Sequence, residues 1–246
     1  AEAALREGAT TRARFHLDQA PEALRSWEWA HLNARIDQSV NSVQVSDGEN
    51  YELAVRPDGR LVAVGTTTGF TLVSLPELEL VAQFRVGRAR CVTWDATGER
   101  LAIALDGGRL QVYGRGAESA LDLVAEHTVP QERRREPNEL LFVGNDVVLG
   151  TSEGNLVHWE VESGELTLLD ILAGQVVGLG MIPPGFAGTM PRRVSDEDSF
   201  WAASSSAELV MYSGGKRVDS MRLAVGERQV RDLAIAPEGH GVAITG

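Results

Sequence analysis

Four residues of this chain share a place where chemistry could occur. Glu52, Cys91, Glu139 and Asp232 become equivalent when similar stretches of the sequence are aligned on their tight turns. Each lies near the start of a short alternating run that reads as a β-strand. Three carboxylates at one level of one assembly would form an acidic mouth. Such a mouth suits a cation or a basic peptide segment, because complementary charge steers and orients a partner. With histidines beside them, the same acids could hold a catalytic metal.

No histidine accompanies them. The five are His16, His31, His127, His158 and His240. None has another at i+2, i+3 or i+4, so no zinc pattern emerges. His16 and His31 fall in helical segments, and His158 falls in a strand beside Trp159, where packing or surface roles are expected. Cys91 is the single cysteine, which excludes an intramolecular disulfide and a cysteine metal site. Its setting, "RARCVTW", reads as a strand with a buried thiol.

Other motifs reduce to turns and loops. "SSS" (Ser204 to Ser206) lacks the Gly-x-Ser-x-Gly elbow of a serine nucleophile. "DGG" (Asp106 to Gly108) is a hairpin turn rather than a phosphate cradle. "SDEDS" (Ser195 to Ser199) lacks the twelve-residue pattern of a calcium loop. "ERRRE" (Glu132 to Glu136) is a basic cluster flanked by its own acids, as in a solvated loop. No catalytic, cofactor-binding or metal-binding residue is assigned. Glu52, Glu139 and Asp232 remain as candidate partner-binding residues.

Two kinds of element must position them. Residues 1–38 read as a short α-helical segment, and 39–246 as a repeating β-structure. In the first part, Thr10 or Thr11 is the expected cap of one helix. A second is expected over "PEALRSWEWAHLNARI", with Pro21 in its first turn. This helix is apolar on two faces: Leu24, Trp27, His31 and Ala34 on one, Trp29, Leu32 and Ile36 on the other. A sandwiched helix is the expectation. Trp27 is expected to pack toward the preceding helix near Leu17, and Trp29 toward the β-structure.

After Ser39 the apolar period changes from about 3.6 to 2. Arg60 and Arg100 match 40 residues apart, and Gly69 and Gly108 match 39 apart. Gly154 follows 46 residues after Gly108, and Pro237-Glu238-Gly239 repeats Pro57-Asp58-Gly59 after 180 residues. Each unit reads as four short strands joined by tight turns such as "PDG". One such sheet cannot bury both of its faces, whereas copies stacked radially can. The predicted fold is therefore mainly β: a β-propeller of four-stranded antiparallel blades, about four complete and a fifth begun. It reads as a truncated ring, because the first residues lack an initiator Met and the last stop within an alternating run. "SVNSVQV" (Ser39 to Val45) is expected to supply an outer strand where the ring closes.

At these residues the chain resembles the WD-repeat family. "RPDGRLVAVG" is similar to that family's turn-and-strand signature. His158-Trp159-Glu160 stands where its Trp-Asp pair closes the third strand, with Ser74, Tyr113 and Tyr212 in the matching places. No Trp-Asp dipeptide is present, and the Gly-His pair that opens a repeat is missing. "LDQAPEALRSWEWAHL" (Leu17 to Leu32) resembles the tetratricopeptide-like segment preceding the propeller in a group of bacterial WD-repeat proteins. Many of those are sensor or scaffold regions of serine/threonine protein kinases. The resemblance thus implies a non-catalytic interaction module in bacterial signalling, with a kinase domain outside this stretch. The chain itself carries no kinase motif.

Bulk properties narrow the partners. The chain has 246 residues, 43% hydrophobic and 24% charged, as in a soluble globular protein. Its net charge of −12 disfavours nucleic acid and anionic membrane. No run approaches the roughly 18 apolar residues of a membrane span. A protein or peptide partner is expected, with a basic segment favoured by the acidic mouth and no cofactor. The long stretch from Pro183 to Ser199 is a further candidate surface. A cytoplasmic setting is favoured, with an extracytoplasmic one open if the full protein carries a span. The competing class is a propeller enzyme, a hydrolase or lyase with a metal or substrate in the channel.

Overall fold

Strands form here wherever apolar residues alternate or run continuously between turn residues. The architecture follows from what those strands must cover. The structure is a computed structural model. It describes residues 1–6, 9–36, 41–116, 121–130, 136–182, 199–223, 229–235 and 242–245, with backbone alone at 11, 233–235 and 242–244. The chain divides into two compact units, Ala1–Val43 and Gln44–Gly246.

The first unit is helical: α1 (Glu2–Arg6), α2 (Thr10–Asp18) and α3 (Trp27–Ile36). Ala9, not a threonine, stands at the cap of α2, and no side chain caps it. Its carbonyl instead accepts the Ala13 amide at 3.0 Å. The expected helix from Pro21 is split. A 3-10 turn covers Glu22–Leu24, and α3 begins only after Ser26. Serine favours the capping position because its hydroxyl competes for local polar groups. Here that hydroxyl donates to the Glu28 carboxylate. Ala4, Ala13 and Leu17 are buried in this unit.

Trp29, not Trp27, meets the preceding helix near Leu17. The Trp29 indole N–H donates to the Leu17 carbonyl at 2.9 Å. The Arg25 guanidinium covers its ring at 5.0 Å. Trp27 is 72% exposed, with His31 beside it at 6.4 Å between rings. One turn of helix carries Trp27 and Trp29 to different faces, and it is Trp29 whose face meets α2.

The second unit contains four four-stranded antiparallel sheets and a two-stranded one. Blade one is β1 (Asn50–Val55), β2 (Leu61–Thr66), β3 (Gly69–Ser74) and β4 (Leu80–Phe84). Blade two is β5 (Ala89–Trp94), β6 (Arg100–Leu105), β7 (Arg109–Arg115) and β8 (Leu121–Thr128). Blade three is β9 (Pro137–Val143), β10 (Asp146–Thr151), β11 (Asn155–Trp159) and β12 (Leu166–Ile171). Blade four is β13 (Val176–Met181), β14 (Ser199–Ser204), β15 (Glu208–Ser213) and β16 (Lys216–Arg222). A fifth sheet pairs β17 (Asp232–Ile235) with β18 (Val242–Thr245).

Cores lie between sheets, not within them. Phe70 and Leu72 of blade one pack with Val92, Leu101, Ile103 and Tyr113 of blade two. Phe70 stacks on Phe84 at 4.3 Å, and Tyr113 meets both rings edge-on. Blades two and three share Cys91, Val112, Leu140, Phe142 and Trp159, and blades three and four share Val148, Leu156, Phe200 and Tyr212. Middle strands are therefore buried on both faces and read as continuous apolar runs, such as "RLAIAL" in β6.

Turn glycines fix the geometry. Gly154 holds φ at +86°, and a Cβ there would lie 2.2 Å from the Leu172 carbonyl oxygen. That close approach brings β11 under the end of β12. Residues 41–46 form no strand, so the outer strand expected over Ser39–Val45 is not formed among the described residues. The Val45 carbonyl instead accepts side-chain bonds from Thr71 and Gln83, at 3.5 and 3.4 Å. The stretches 183–198 and 237–240, including most of the long loop, the turn Pro237-Glu238-Gly239 and His240, lie outside the described residues. So do Arg133, Arg134 and Arg135.

Candidate functional site: the channel mouth

Inner strands β1, β5, β9, β13 and β17 are successive neighbours and line a common channel. Register shows which of their residues share a level. The second strands β2, β6, β10 and β14 each have six residues. The fourth residue of each pairs with Leu53, Val92, Leu140 and Leu179 respectively. The preceding residues, Glu52, Cys91, Glu139 and Gly178, therefore occupy one level. Asp232 stands just before Leu233, which pairs with Ile244 in the fifth sheet. The structure thus adds Gly178, the blade-four member, which sequence alignment missed. A glycine leaves no side chain to align by type, and residues 182–198 displace that repeat's landmarks.

The same register corrects one motif position. The second residues of the second strands pair with Val73, Tyr113, Trp159 and Tyr212. Val73, not Ser74, is the blade-one equivalent of Trp159. Trp159 is buried, and its indole nitrogen has no hydrogen-bond partner among the described residues. His127 lies 6.1 Å from it, ring to ring. His158 instead points to Asp146 at 3.3 Å.

Glu52 sits in the seam between blades one and two. Its Oε2 accepts the Val92 amide N–H at 2.9 Å, and the Cys91 thiol donates to the same carboxylate. Burial pushes the Glu52 carboxyl up to about 7, against those bonds, and the charge of Asp232 adds to the rise. Glu139 lies in the seam toward blade four. Burial pushes it up to about 8, helped by the charges of Glu52 and Asp232. Burial also raises the Cys91 thiol well above its ordinary value, with Glu52 and Glu139 contributing. The channel acids therefore feel one another. They do not converge as metal ligands: among the described residues, no group of three His, Cys, Asp or Glu is placed to hold a metal ion.

The nearby cations are committed elsewhere. Arg88 and Arg90 both bond to Asp106, at 3.0 and 2.7 Å, and Arg90 reaches Glu136 at 3.3 Å. Their guanidiniums lie over the Tyr51 ring, at 5.8 and 5.6 Å. Among the described residues, neither Glu52 nor Glu139 has an ion pair. The rim thus carries a balanced network around an unbalanced acidic throat.

A contrasting acid sits at the turn that closes the first two strands of blade two. Asp95 is 4% exposed. Its Oδ1 accepts the Glu99 and Arg100 amides, and its Oδ2 accepts Thr97 Oγ1 and Arg100 Nε. Arg100 extends to the Gly144 and Asn145 carbonyls of blade three and covers the Phe142 ring at 5.1 Å. Sequence reading singled out Arg100 only as a repeat marker, and Asp95 not at all. An Asp four residues before Glu-Arg at a tight turn was the available signal.

Four-stranded antiparallel blades with inter-blade cores define a WD-repeat-like β-propeller. Among solved structures, the chain is similar to the β-propeller domain of Cps50 (Swd1) from Myceliophteria thermophila. The TM-score is 0.64 at 10% identity, over 84% of this chain. The chain spans 64% of that domain's length. No family model matches the chain, and no curated protein matches it. Among the described residues, no helix is long and apolar enough to cross a membrane.

Proposed function

We propose that this propeller is a non-catalytic protein-interaction module whose channel mouth takes a basic segment of a partner. The carrying observation is the set Glu52, Glu139 and Asp232 around one channel, with no ion pair to Glu52 or Glu139 among the described residues. An inserted lysine or arginine would supply the missing charge and relieve the repulsion between the acids. The rigid inter-blade cores support the reading, because a preformed site binds without an ordering cost. A place in bacterial signalling, linked to a serine/threonine kinase, is part of the same proposal. It rests on the resemblance carried by Leu17 to Leu32 and the blades.

The test is calorimetric titration with a short Lys/Arg-rich peptide at low salt. Glu52→Gln, Glu139→Gln and Asp232→Asn together should weaken binding at least tenfold, and added salt should weaken the wild type. Unchanged affinity would remove the mouth from the account. Metal analysis separates this reading from a channel enzyme. A stoichiometric ion displaced only by chelation would favour the enzyme.

A further inference from the structure

We infer that Glu52 and Glu139, set at one level of the channel with Cys91 between them and no described cation paired to either, form a proton-sensitive switch. The consequence for partner capture rests on the proposed function; the proton uptake does not.

The geometry supplies the reason. The two acids stand at one level of β1 and β9, with Cys91 of the intervening β5 between them. Each is half-buried at a seam between blades. Ionised carboxylates need water or a cation, and here water is reduced and no described cation pairs with either acid.

The charged and titratable groups from every packed strand bear this out. β1 and its approach bring Tyr51 and Glu49, bonded to each other at 2.9 Å. β5 and its approach bring Cys91, which donates to Glu52, and Arg88 and Arg90, both held by Asp106. β9 and its approach bring Glu136, held by Arg90. β13, "VVGLGM", brings no titratable group against Glu139. β17 brings Asp232, a further like charge, preceded by exposed Arg231. The sum is three acids, with Arg88 and Arg90 held by Asp106 and Arg231 exposed beside Asp232.

Burial and the charges of neighbouring acids place the two carboxyls at about 7 and about 8. Below neutrality the pair is protonated, Glu52 keeps its acceptor oxygen for the Val92 amide, and the throat is quiet. Above it the second proton leaves, and a basic segment gains a partner it lacked. Binding such a segment must therefore release protons, and affinity should rise from pH 6 to pH 8.5.

The direct test is carbon NMR of the full chain labelled at glutamate carboxyls, titrated from roughly pH 4 to 9. Two resonances, identified by their loss in Glu52→Gln and Glu139→Gln, should have midpoints near 7 and 8. In Glu52→Gln the Glu139 midpoint should fall, because the Glu52 charge that raises it is gone. Midpoints of both between 4 and 5 would overturn the switch. The wild-type spectrum decides even if a variant fails to fold, since any glutamate midpoint near neutrality stands apart from the exposed ones. If the midpoints are near neutrality but a Lys/Arg-rich peptide binds equally at pH 6 and 8.5, the switch stands. The basic-segment reading then falls.

Discussion

Asp95 and Glu139 are both acids enclosed by the same propeller, and they reach opposite electrostatic states. Asp95 pays desolvation and recovers it through two amides, a hydroxyl and the Arg100 guanidinium, so its carboxyl is held below the ordinary value despite burial. Glu139 loses water in the same way and gains only repulsion from Glu52 and Asp232. Burial alone therefore does not set the charge of an interior acid. The partner set within hydrogen-bond reach does.

The two acids also answer pH in opposite directions. Asp95 binds fewer protons folded than unfolded near the ordinary aspartate value of 3.8, so its contribution is present above that value and lost as acid protonates it. Glu52 and Glu139 hold protons in the fold that the unfolded chain releases near 4.5. Their contribution is complete below that value and lost as pH rises through about 7 and about 8.

The largest effect is expected at the satisfied acid. Asp95→Ala should remove roughly 3 kcal/mol at pH 7, since it strands Arg100 and two turn amides. Urea unfolding measures it, and a loss under about 1 kcal/mol would show that the bonds merely decorate the turn. Next comes Glu139→Gln, which should stabilise the chain at pH 8 by about 1–2 kcal/mol. A destabilised Glu139→Gln protein at that pH would mean the carboxylate has a partner. The smallest effect extends the comparison to a neutral group. Trp159→Phe removes a buried N–H that makes no bond among the described residues, so it should cost about 1 kcal/mol or less. Trp159→Ala should cost roughly 3–5 kcal/mol through lost volume. Similar losses in the two variants would indicate a hidden partner for the indole.

Much of this architecture was legible because it is local and periodic. Turn residues at Gly59 and Gly98, the Gly154 position and the alternation of apolar residues specify strands and repeats without reference to distant contacts. The level of Glu52, Cys91 and Glu139 was readable for the same reason. What escaped depends on neighbours far along the chain. Gly178 has no side chain to mark its place. The turn of α3 that faces Leu17 is chosen by packing, so Trp29 took the place expected of Trp27. Val73 replaced Ser74 because register, not spacing from a glycine, sets the level. The protonation of Glu52 and Glu139 follows from seams between blades, and the clamp from Asp95 through Arg100 crosses one such seam.

The most direct check is urea unfolding of the full chain at pH 5.5 and pH 8, for the wild type and for Glu52→Gln with Glu139→Gln. The wild type should lose about 1–3 kcal/mol more than the double variant between those two conditions. Equal pH dependence in the two proteins would contradict the account, because the channel acids would then carry no extra proton in the folded state.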